Sequence, residues 1–221
     1  MVMSAFFERA VEVLRHAPSL FGIGGDRSAL DSVAAVQSFV ATRSAYIAQK
    51  TLYGYVKTRM GTRHIAMFDD KAMIASLNIA RNQLFAACLS DLTIYAVGVS
   101  LRDQPPDNER RAALAQWIYE RSIADNAGSA PAEFDSAAAV VAFAQRAGAT
   151  EWRVAATQAD DFTASPAALY RWAPIADNLK RLDREIVENS VTFAWRDVRE
   201  QFNRRLSAAR VAADWTARPS N

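Results

Sequence analysis

Arg43, Lys50 and Lys57 recur at intervals of seven, and so do Phe39, Tyr46, Tyr53 and Met60. No acidic residue lies between Asp31 and Asp69, an interval that also holds Arg59, Arg63 and His64. Seven residues is nearly two helical turns, so on a helix each row runs almost straight. Val40, Ile47 and Gly54 form an apolar row between the cations and the aromatics. The chemistry such a face offers is electrostatic. Long stems pack at the margin of a buried stripe while the charged heads reach outward for a negative group.

That negative group comes from a neighbouring helix or from outside the chain. Asp183, Glu185 and Glu188 are the internal candidates. A phosphate, a carboxylate or an acidic partner protein is the external one. An antiparallel hairpin of 29–60 with the next helix puts Asp91 within one turn of Arg43, which predicts an Arg43–Asp91 pair. It also puts Lys50 level with Arg81, two like charges that repel in a low-dielectric seam unless an anion lies between them. The candidate binding set is therefore Arg43, Tyr46, Lys50, Tyr53, Lys57, Arg81 and Asp91. Aromatics between cations also suit single-stranded bases, but a local charge this modest is a weak nucleic-acid footprint.

Catalytic signals are mostly negative. The sequence contains no G-x-S-x-G, H-E-x-x-H, E-x-x-H or G-x-x-x-x-G-K-[ST]. One cysteine, Cys88, and two histidines, His16 and His64, cannot make a four-ligand zinc site without carboxylates. Cys88 lies in the apolar run LFAACLSDL and reads as an inert core thiol. Gly22, Gly24, Gly25 and Asp26 read as a flexible corner, and His16 as a helix-end residue. His64, near Asp69 and Asp70, has no nucleophile in sight. No catalytic residue, metal ligand or cofactor site is assigned.

The elements that position these residues are helices. Alanine is the commonest residue and glycine numbers only eight, which favours long helices. Ser4 can cap a helix running to about His16, with Phe6, Phe7, Ala10, Val13 and Leu14 on one side. A second helix is expected over 29–60, with Gly61 as its C-terminal cap. A third follows from an Asp69 or Asp70 cap to about Leu101, striped by Ile74, Leu77, Arg81, Leu84, Cys88, Leu92, Tyr95 and Val99. Pro105 and Pro106 stop it. Asp107 or Asn108 opens a fourth, and Asp135 or Ser136 a fifth running to about Ala147. Residues 148–164 are ambiguous. Ser165-Pro166 has a serine cap followed by proline at the first helical position.

The last element is expected from about Pro174 to Ala213. It carries two apolar stripes: Ile175, Leu179, Leu182 and Ile186, then Val191, Trp195, Val198, Phe202, Leu206 and Ala209. The fold class is all-α, an elongated antiparallel hairpin (about 29–60 and 70–101) packed against a long C-terminal helix and shorter helices. The 221 residues suit one helical domain, with sub-lobes at 1–104 and 105–221.

Totals narrow the function classes. Twenty-six Lys and Arg against 24 acids give a net charge of +2, too even to announce nucleic-acid or membrane binding. Glu8, Arg9 and Glu12 interrupt the N-terminus before a signal-peptide core forms. The run 84–101 is the one transmembrane candidate, but Asp91 at its middle costs ~3 kcal/mol in lipid. It reads as a buried helix, and a cytoplasmic location is expected. The leading expectation is a non-enzymatic helical interaction protein, namely an assembly factor, adaptor or regulatory subunit, that binds an acidic protein partner. The alternative is a small-molecule binder or enzyme with an anion-accepting pocket between the second and third helices. Long striped helices also suit homo-oligomerisation, and Phe6 and Phe7 suit a membrane-surface contact.

Overall fold

The computed structural model describes residues 28–61, 70–105, 107–155 and 162–218. The expected helix from Ser4 to about His16, the Gly22–Asp26 corner, His64 and residues 156–161 lie outside the described residues. Among the described residues the fold is all-α. The helices are α1 (Val33–Met60), α2 (Lys71–Ser100), α3 (Asn108–Asn126), α4 (Ser136–Gly148), α5 (Trp152–Ala155), α6 (Ala164–Trp172), α7 (Asp177–Lys180), α8 (Arg184–Arg205) and α9 (Ala208–Ala217).

Local chemistry sets most of these ends. The first amides of a helix have no intrahelical acceptor, and a side-chain oxygen just before them supplies one. Asp70 accepts from Ala72 N at 2.8 Å, Asp107 from Arg110 N at 2.8 Å and Asp135 from Ala138 N at 2.8 Å. Ser32 accepts from Ala35 N at 3.2 Å, so α1 starts four residues later than the run of helix formers suggested. Gly61 ends α1 at φ 53, where its missing Cβ removes the usual steric cost.

The hairpin of α1 and α2 forms as expected, and α2 becomes the axis of the molecule. From Leu84 to Ser100 every residue except Ala87 is buried. α1, α3, α4, α5, α6 and α9 all pack on it. It is also long and apolar enough to cross a bilayer, yet 89% of its most apolar window is enclosed by protein. That is a core helix covered by its neighbours.

Two expectations about the C-terminal third are corrected. Helix α6 begins at Ala164, so Ser165 is inside its first turn and Thr163 makes no side-chain cap. The acceptor comes from α2 instead: Asp91 receives Ala164 N at 3.2 Å and Ser165 N at 2.7 Å. The last element, expected to run unbroken, divides into α7, α8 and α9. At its second break Leu206 leaves the helix to form a parallel bridge with Leu30. Leu30 N donates to Arg205 O at 2.8 Å, and Ser207 N donates to Leu30 O at 2.9 Å. α8 runs antiparallel to α1, since Phe39 packs on Phe202 at 5.5 Å while Tyr55 reaches Asp183.

Candidate functional site

The seven candidates do not come together. On α1, Tyr46 and Tyr53 are half-buried while Lys50 and Lys57 are exposed. The Lys50 ammonium lies 5.6 Å from the centre of the Tyr46 ring. Among the described residues neither lysine has an acid within ion-pair distance. Arg81 on α2 is half-buried and likewise pairs with no described acid. Arg43 is 8% exposed, with its guanidinium 5.4 Å from the Phe39 ring centre. A cation over an aromatic face is attracted by the ring quadrupole, which lets Arg43 sit at the edge of the core.

Asp91 pairs elsewhere, and the expected Arg43–Asp91 bridge is absent. Its carboxylate is fully enclosed and meets Arg146 Nη1 of α4 at 2.7 Å. Ser165 Oγ donates to it at 2.6 Å, and Trp195 Nε1 of α8 donates to Ser165 Oγ at 2.9 Å. Arg146 Nη1 also donates to Ser90 Oγ at 2.7 Å. Asp91 points to a different side of α2 from the one a pair with Arg43 requires. It faces α4 and α6, away from α1. Burial raises its pKa, while Arg146 and the two Ser165 bonds pull it back down. The nearby Cys88 thiol is raised by burial first and by the Asp91 charge second, so it stays protonated. This cluster ties four helices together, and its groups are spent on one another.

The expected counter-charge from the last element does arrive, but at a different cation. Asp183, just before α8, accepts from Arg59 Nε and Nη2 and from Tyr55 OH at 2.8 Å. The Arg59 hydrogen bond, more than any other cause, lowers the Asp183 pKa. Burial and then the Asp183 bond push the Tyr55 phenol up to about 12. Glu188 pairs with Arg184 of its own helix at 2.9 Å. Tyr55 and Arg59 were missed because they sit off the seven-residue row. Their signal was the i, i+4 spacing of a phenol and a cation on another side of α1.

The seam between α1 and α2 is filled, with Val40, Ile47, Leu84, Cys88 and Leu92 all at zero exposure. Side chains assigned to a pocket there do not converge, since Lys50 faces solvent and Asp91 faces α4 and α6. A surface depression at the start of α3 is lined by Asp107, Asn108, Glu109, Glu151 and Arg153. Asp107 there is committed to its cap. Among the described residues no group of three potential ligands is placed to hold a metal ion.

A second surface stands apart from the basic row. The predicted stripe on the last element forms, but three of its four members point outward. Leu179 is 47% exposed, Leu182 76% and Ile186 68%, and Phe193 continues the line at 61%. Ile175 alone is buried, at 8%. These side chains run from α7 through the turn after it onto α8, with Asn189 between Ile186 and Phe193. Comparison with known proteins returns no match: no family model, no curated protein and no solved structure is significantly similar to the chain.

Proposed function

We propose that the protein is a non-enzymatic helical interaction protein, an adaptor, assembly factor or regulatory subunit, and that it holds an acidic protein partner against the outer face of α1. The contact residues are Tyr46, Lys50, Tyr53 and Lys57. One observation carries the reading. Helix α1 has 28 residues without a carboxylate, and its two exposed lysines have no described acid within ion-pair reach. Two half-buried tyrosine rings flank them, rigid amphipathic groups of the kind enriched in contact surfaces.

The energetics favour recognition over tight anchoring. Exposed ion pairs contribute little each, so carboxylates on the partner act mainly through encounter rate and orientation. Affinity then comes from covering the tyrosines and the apolar stems of the lysines. Such binding weakens as salt rises, because the charges are within reach of screening ions.

The test is charge reversal in the full-length protein. Lys50→Glu with Lys57→Glu is expected to lose the partners captured from native cells and to leave the circular-dichroism spectrum and melting transition unchanged. Retention of the same partners by the doubly reversed protein overturns this reading.

A further inference from the structure

We propose that the acidic partner meets α1 with an α-helix of its own, which crosses closely over Gly54. The proposal rests on the reading of the outer face of α1 as the contact surface and adds the form of the element that docks there. Gly54 is the only glycine in α1 and stands in the helix interior, where glycine is a poorer helix former than any residue but proline. Two needs keep a glycine in such a place. One is a left-handed backbone, and the other is a neighbour packed too close for a side chain. Gly54 has neither. Among the described glycines only Gly61 has a positive φ, and a Cβ placed at Gly54 meets nothing within 4 Å. The room kept at this position therefore serves nothing in the chain's own packing.

Its place on the helix gives that room a use. Gly54 is exposed and falls four residues after Lys50 and three before Lys57, so it lies on one face between the two exposed lysines. Tyr46 and Tyr53, both half-buried, border the same line. The surface is a bare stretch of backbone with a cation about one turn to either side and aromatic rings along one edge. The distance between the axes of two packed helices is set by the side chains at their contact, and falls toward ~8 Å where these are small. A crossing helix with a small residue over Gly54 and a carboxylate about one turn to each side matches all of these features. An extended segment does not. Strand addition needs an open row of N–H and C=O groups. Those of α1 are engaged in its own ladder, and Gly54 O also accepts from Thr58 Oγ1 at 2.8 Å. Charge attraction alone has no use for a bare position, since alanine would leave the lysines in place and hold the helix better.

The probe is an alanine-based helical peptide with two glutamates about two turns apart, its binding to the full-length protein read by fluorescence anisotropy at low salt. The comparison peptide carries the same charges but has prolines in place of two alanines, which prevents the helix. The native protein is expected to bind the helical peptide at least ~10-fold more tightly than the broken one. Gly54→Leu is expected to lose at least ~10-fold of the affinity for the helical peptide and none of that for the broken one. Its side chain projects into open space, so the circular-dichroism spectrum is expected to stay as it is. Gly54→Ala is expected to raise the melting temperature by about 2–4 °C. Equal affinity of the native protein for the two peptides, no binding of the helical one, or native-like binding of it by Gly54→Leu overturns the proposal. None of these outcomes touches the acidic-partner reading. A lowered melting temperature in Gly54→Ala assigns the glycine to the chain's own packing and overturns the proposal as well. Undiminished binding by Lys50→Glu with Lys57→Glu overturns both the proposal and the reading beneath it.

Discussion

Asp91 and Asp183 are both buried carboxylates that pair with an arginine and join the C-terminal third to the hairpin, and they differ in their other partners and in the direction of their pKa shifts. Asp91 is enclosed, stands at the start of α6 and shares its charge with Arg146, Ser165 and, through Ser165, Trp195. Asp183 is buried too, with its side chain 7% exposed, and is met by the side chains of Arg59 and Tyr55. Burial pushes the first acid's pKa up, and the Arg59 hydrogen bond pulls the second one's down. The same residue type thus acts as a structural junction in one place and a latch in the other. The partners decide which: Asp91 takes the first amides of α6 as well as Arg146, and Asp183 takes the side chains of Arg59 and Tyr55.

The comparison breaks most sharply at Asp91. Asp91→Ala leaves Arg146 facing an emptied niche and the first amides of α6 without an acceptor. The expected loss is about 3–5 kcal/mol, read as a shift of the urea midpoint. Trp195→Phe keeps the ring packing against Phe162 but removes the bond to Ser165, with an expected loss of about 1 kcal/mol by the same measurement. Asp183→Asn, which keeps a side-chain oxygen to accept from Arg59 or Tyr55, is expected to cost less than Asp91→Ala.

The dependence on pH separates the two acids by sign. Between the ordinary carboxylate pKa and the raised value of Asp91, the folded state binds more protons than the unfolded one. Stability from this group therefore falls as pH rises through that window. Asp183 does the opposite. Its contribution is present above the unfolded carboxylate pKa and is lost as pH falls through the lowered folded value. Urea midpoints measured across both windows should lose the first slope in Asp91→Asn and the second in Asp183→Asn. Identical pH profiles for the two variants would break the comparison.

The sequence made the local features legible and left the tertiary ones hidden. The hairpin, the Asp70, Asp107 and Asp135 caps and the Gly61 terminus each depend on neighbours a few residues away. The partners of Asp91 lie on helices separated from it by long stretches of chain, so spacing alone could not show which side of α2 it faces. The cap of α6 is supplied from α2, and no local pattern announces that. On the last element the periodicity revealed both stripes without showing that Val191, Trp195, Val198 and Phe202 are enclosed while Leu179, Leu182 and Ile186 are uncovered. Of the candidate binding set, Tyr46, Lys50, Tyr53 and Lys57 share an outer face. Arg43 and Asp91 are drawn into the interior instead.

The enclosure of α2 has a kinetic meaning. A helix covered on every side from Leu84 to Ser100 has no face that solvent can reach through the fraying of one neighbour. Its central amides are therefore expected to trade hydrogen for deuterium only when the whole molecule opens. They form a built-in clock against which the shallower motions of α1 and α8 can be timed.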